Sequence, residues 1–290
     1  MLAAIFWLGS GGRLEAQPVG LGEALNFALI VNHGNLSMGS HGIVKGANVG
    51  VYDGQITLAY QSHVWRDLVD SGASPAVITL GASSHVIGEC ATDAGGAIQL
   101  TKGADCGSQN TSGSSAQVAD LNQAIIDLEK FDSALDGLAA TQTLAAGNQN
   151  PFDDNDVVVK DHQHVKVNLP NRKGNNKYDK DSVTIGEGGS IDFEGGGDPG
   201  VELTLVIHGT LSIGGNGRIK ISNGLNANHV KIKAAEVDLS GTAQVKGTLD
   251  SDSACNLGTE VTIDGALYCG GDATIGPLLR LNFVPCEVTI

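Results

Sequence analysis

Residues 197–249 read GDPGVELTLVIHGTLSIGGNGRIKISNGLNANHVKIKAAEVDLSGTAQVKGTL. Apolar residues recur two apart throughout: Leu203/Leu205, Leu211/Ile213, Ile219/Ile221, Val230/Ile232 and Val237/Leu239. A period of two means a strand with one buried face. Gly or Asn usually follows each pair within a few residues, and no helical stretch intervenes. Short strands joined by tight corners point to a coil wound around a narrow core, a β-solenoid. Val183/Ile185 and Ile191/Phe193 extend the pattern upstream, and Val261/Ile263 extends it downstream. Leu211 to Val230 is 19 residues and Ile219 to Val237 is 18, which predicts the length of one turn. In that register the outward Arg218 and Lys220 lie beside Glu236 and Asp238 of the next turn, where opposite charges attract.

The totals agree with a narrow aliphatic core. Of 290 residues, 41 are Gly and only 4% are aromatic. Stacked Val, Ile and Leu need few rings, and sharp corners need Gly and Asn. The net charge of -15 argues against nucleic acid as a partner, because that role needs an excess of Lys and Arg.

Working outward, residues 24–117 are rich in Gly, Ser and Thr, with apolar bursts at Phe27–Val31, Gly50–Tyr52, Gln55–Leu58 and Ala76–Leu80. These read as short strands between turns. From Ser115 to Leu138 the spacing changes. Val118, Leu121, Ile125, Leu128, Phe131, Leu135 and Leu138 form one stripe of an α-helix, which Ser114 or Ser115 can cap. Asp120, Asp127, Glu129 and Asp132 are interleaved with the stripe and are expected to stay wet. Residues 139–156 and 168–181 read as polar loops. Residues 1–16 read as a signal peptide, although no Lys or Arg precedes the apolar run Ala3–Leu8. No other stretch is long and apolar enough to span a bilayer. The remainder, 17–290, is expected to be a single domain.

The five cysteines form no CxxC pair. Cys90 with Cys106 and Cys255 with Cys269 are near neighbours in sequence. Each pair is either a local disulfide in an oxidising compartment or two buried thiols. Cys286 is the odd one, free or intermolecular.

Gly197–Leu249 resembles the ice-binding-like family and the related choice-of-anchor A surface proteins. The resemblance rests on Gly197-Asp198-Pro199, Val206-Ile207, Leu211–Ile213, Ile221–Gly224, Ala227–Val230 and Gly241–Leu249. It implies a mostly β fold: a right-handed parallel β-solenoid with one long helix packed along its side. It also implies that the N-terminal and C-terminal strands complete one sheet system. Some relatives bind ice through a flat face of short side chains; others sit on cell surfaces.

Arg218, Lys220, Lys231, Lys233, Glu236, Asp238 and Lys246 are all expected outward, and charged faces suit ice poorly. The leading expectation is therefore a secreted, non-catalytic surface protein acting by adhesion, matrix formation or self-association. Its partners would be surface glycans or copies of itself. The alternative is an ice-binding protein using a face built from Thr57, Thr79, Thr184, Thr204, Thr210, Ser212 and Thr262. Thr also suits any solvated strand, and spacing alone leaves open whether these seven share a face.

Other constellations carry less. Asp161-His162-Gln163-His164 places two imidazoles on one side of a strand, but lacks a third metal ligand. Asp153, Asp154 and Asp156 lack the Gly and Glu of a calcium loop. The Gly runs join strand to strand and make corners, not phosphate cradles. No nucleophile elbow appears, and no cofactor or catalytic group is expected.

Overall fold

The structure, a computed structural model, describes residues 20–72, 75–137, 151–170 and 173–288. The proposed signal peptide, 1–16, lies outside the described residues, as does Leu138. The described strands join into one continuous sheet in which every pairing is parallel. The fold is a β-solenoid with three strands to the turn, so the stack presents three faces.

Inward residues form aliphatic columns along the stack. One runs Val157, Val183, Leu211, Val237, Cys255, Ala273, Leu36, Ile56, Ile78 and Ile98. Every member but Ile98 is buried, and each large aliphatic contributes about 1.5–3 kcal/mol. One end of the core is closed by Phe152, whose ring meets Tyr178 and Phe193 edge-on at 5.3 and 5.4 Å.

The expected turn length and register need correction. Leu211 pairs with Val237, not Val230, and Ile219 pairs with Val245, not Val237. Arg218 therefore faces Gln244, while Glu236 and Asp238 lie beside Thr210 and Ser212. The strand Val230–Leu239 is the cause. It passes around an edge and serves two faces, so its two apolar pairs belong to two sides of one turn. Pairing partners lie 28 residues apart at Val183 and Leu211, but 18 apart at Cys255 and Ala273.

The chain's first coil sits on top of its last. Phe27–Val31 pairs with Leu267–Cys269, Leu36–Met38 with Ala273–Ile275, and Ile43–Lys45 with Arg280–Asn282. The two coils thus complete one sheet system. A helix, Ala116–Asp136, connects them. Ser115 caps it by accepting a hydrogen bond from the Gln117 N–H. Its buried stripe is Val118, Leu121, Ala124, Ile125, Leu128, Phe131 and Leu135. This stripe packs on Phe27, Ile30, Val69, Ala91, Val206 and Tyr268, all on one solenoid face. Gly50 permits the close approach, since a Cβ there would lie 2.4 Å from Leu121 Cδ1. No helix among the described residues is long and apolar enough to cross a membrane.

Cys90–Cys106 and Cys255–Cys269 are both disulfide-bonded. Each bridge joins one turn of the solenoid to the next. Cys286 is a buried free thiol. Lys231, Lys233 and Asp132 differ from expectation. The two lysines are buried beneath the helix, and the Asp132 side chain is only 23% exposed. The helix covers the face on which those lysines stand.

Candidate functional site

The second face is bare, and its outward residues form registered columns. The central column runs Val158, Thr184, Ser212, Asp238, Asn256, Thr274, Ser37, Thr57, Thr79 and Gln99. Neighbouring strands in any sheet stand about 4.8 Å apart, so these side chains repeat at a near-constant step.

The last six strands of this face read CNL, ATI, LSM, QITL, VITL and AIQL. None contains a charged residue. Beside the central column lies a column of Gly258, Gly276, Gly39, Ala59 and Gly81, whose N–H groups continue the ladder to the neighbouring strand. The packing there is tight enough that a Cβ on Gly81 would lie 2.7 Å from the Ala59 carbonyl carbon. This column therefore adds almost no side chain to the surface. At the margin, the Asp272 carboxylate accepts from the Asn35 backbone N–H at 2.7 Å. Toward the other end, Asp238 and Glu236 interrupt the uncharged run.

Four of the seven expected residues, Thr57, Thr79, Thr184 and Ser212, stand in the central column. Thr210 is on the same face, one column aside, next to Glu236. Thr204 is fully buried beneath the helix and Thr262 lies on the third face, opposite Gln244 and Arg280. Alternation alone places a residue outward on its own strand; it does not say which face that strand belongs to. Ser37 and Thr274 were missed. Their signal was present in Leu36-Ser37-Met38 and Ala273-Thr274-Ile275, strands of only three residues.

The third face carries charge. Arg218, Lys220, Lys246, Asp264, Arg280 and Lys45 lie on its strands. Further along, His63 stacks on His85 at 5.2 Å, and His85 Nδ1 lies 2.6 Å from Asp105 Oδ1. Burial, and then the neighbouring His85, push the His63 pKa down.

The remaining constellations are taken up by structural contacts. His162 sits in a turn with positive φ, not on the strand that begins at His164, so the two imidazoles do not share a strand face. His164 Nδ1 lies 2.8 Å from Ser190 Oγ. The Asp153–Asp156 loop wraps an ammonium: Lys180 Nζ donates to the carbonyls of Phe152 and Asp154 at 2.6 and 2.9 Å. No cluster of three His, Cys, Asp or Glu able to hold a metal ion occurs among the described residues.

No family model and no curated protein matches this chain in sequence. Solved structures do match in shape. A glycosylated ice-binding protein from an Arctic yeast superposes with a TM-score of 0.53 at 18% identity, covering 95% of this chain and 99% of the other. An ice-binding protein from an Antarctic biological consortium gives 0.52 at 17% identity, covering 91% and 90%. One from the Antarctic ascomycete Antarctomyces psychrotrophicus gives 0.50 at 17%, covering 91% and 97%. The fold is that of the ice-binding proteins. This reverses the order of the two expected functions. The adhesive, matrix-forming reading rested on charged outward faces. The three structures just compared are of ice-binding proteins, and one face here is free of charge over six strands.

Proposed function

We propose that this protein binds ice through the face centred on Asn256, Thr274, Ser37, Thr57, Thr79 and Gln99. The observation that carries the reading is the run of six uncharged strands with a column of Gly and Ala beside the short polar side chains. An ammonium or carboxylate holds its own hydration shell and resists transfer from liquid water. A hydroxyl beside a methyl holds water by one hydrogen bond while leaving its neighbours free to adopt a lattice. Repetition along the stack, beside a column with almost no side chain, lets many such waters match a crystal plane together. The two disulfides support action outside the cell, where such bonds persist. Residues 17–290 would then be the mature domain, acting without catalysis.

Ice recrystallisation inhibition and ice-crystal shaping test the reading. The purified protein is expected to shape crystals and arrest their coarsening. Thr57→Lys should weaken the effect by roughly tenfold or more, equivalent to about 1.4 kcal/mol. Thr262→Lys, on the charged face, should leave it intact. Round crystals with the folded wild-type protein would refute ice binding; equal loss from both variants would refute the assigned face.

A further inference from the structure

Beneath the helix, charged side chains meet where charge is costly. Lys231 is fully buried and Asp250 nearly so, and Lys231 Nζ lies 2.5 Å from Asp250 Oδ2. The same Nζ stands 5.0 Å from the Phe131 ring centre and 5.4 Å from that of Tyr268. Asp132 reaches in from the helix, with Oδ1 4.0 Å from Nζ. Neighbouring Lys233 shares Asp132, at 3.8 Å, but turns mainly outward: its Nζ is 3.2 Å from Asp252 and 3.6 Å from Asp136, both open to solvent. Lys231 and Asp250 are thus left as an enclosed pair with a third carboxyl beside them.

As an ion pair this arrangement gains little, because stripping water from each ion costs several kcal/mol. One reaction removes both charges with almost no movement of the chain. We propose that Lys231 and Asp250 condense into an intramolecular amide, with Asp132 carrying the proton between them. The Nζ–Cγ bond forms and one Cγ–O bond of Asp250 breaks. Lys231 first passes one proton to Asp250 across their hydrogen bond, leaving a neutral amine and a carboxylic acid; the nitrogen loses a second proton as the bond forms, and both protons leave with the departing oxygen as water. The pair is neutral overall before and after, and no oxidant or reductant takes part.

Asp132 is suited to the task. Burial, and then the charge of Asp250, push its pKa up to about 8, so near neutrality its carboxyl carries a proton. It can give that proton to the departing oxygen and recover one from the nitrogen. In bulk water amide formation runs uphill. Here contact speeds the step, since well-oriented intramolecular reactions reach effective concentrations of about 10⁵–10⁸ M, and the balance shifts toward the amide because two buried charges disappear. Cys286 faces the same ammonium, but burial raises its thiol pKa and keeps it a poor nucleophile. The new bond would join Val230–Leu239 to Thr248–Ser251, neighbouring strands of the helix-covered face.

The test is the intact mass of the whole chain, denatured and reduced. It should be short of the sequence mass by one water, and a protease digest should yield a branched peptide joining the Lys231 and Asp250 segments. Asp132→Asn keeps both reacting groups; provided it folds by circular dichroism, it should return to full mass. Asp250→Ala should do so as well. Full mass in a folded wild-type protein overturns the proposal. So does a water loss that maps elsewhere, for example to a cyclised Asp136-Gly137. A folded Asp132→Asn protein still one water short overturns the role given to Asp132.

Discussion

Asp70 shows how a single residue can set the working range of the molecule. Its side chain is fully buried in the strand Leu68–Ser71, and one carboxyl oxygen accepts from the Val77 N–H at 2.8 Å. The other oxygen has no hydrogen-bond partner among the described residues. Burial pushes its pKa up to about 8 despite that one favourable bond. The folded state therefore holds a proton that the unfolded chain releases near 3.8. Its contribution is complete below that value, falls as the pH rises, and is lost above about 8. The thermal midpoint should drop between pH 5 and pH 8, and Asp70→Asn should flatten the drop. An equal slope in the variant would place the pH dependence elsewhere, with Asp132 the next group to replace. Nothing near Asp70 in the sequence marks it as buried. Its inward position depends on register with Val51 and Thr92, which lie on other turns.

At the scale of elements, legibility followed the range of the forces involved. The helix was readable because its stripe, cap and length are local, and the structure begins and ends it within two residues of expectation. Strands were readable because alternation is local too. Turn length was not, since Val230–Leu239 looks like two strands of one kind but bends around an edge. The site was half readable for the same reason. Thr57, Thr79, Thr184 and Ser212 were named as outward, but their shared column appears only once the turns are registered. Burial of Lys231 and Lys233 was invisible, because the helix that covers them comes from almost a hundred residues earlier. The fit of that helix is itself testable. Gly50→Ala puts a methyl where Leu121 already packs, and should cost about 1–3 kcal/mol of stability by chemical denaturation. A neutral effect would mean that the helix rests on the face more loosely than the structure shows.

For the whole molecule, a stack in which each turn touches only its neighbours behaves as a nearly one-dimensional system. The position of a crosslink along it then matters as much as its presence. The Cys255–Cys269 bridge lies well inside the stack, where strands pair on both sides. The Cys90–Cys106 bridge lies at the end, where Ala97–Leu100 and Asp105–Asn110 each pair on one side only among the described residues. Closing loops of this size contributes about 3 kcal/mol in the chain-entropy account. At the interior site, loss should act on the cooperative unit: Cys255→Ala/Cys269→Ala should lower the global midpoint. At the end it should act locally. Cys90→Ala/Cys106→Ala should speed amide exchange in residues 97–110 while the global midpoint moves much less. The end turn also carries Gln99, the last member of the uncharged column, so fraying there should shorten the ice-contact face and weaken ice recrystallisation inhibition in part. If both double variants lowered the global midpoint equally, with no local gain in exchange, the stack would be unfolding as one unit, and the end turn would be no weaker than the rest.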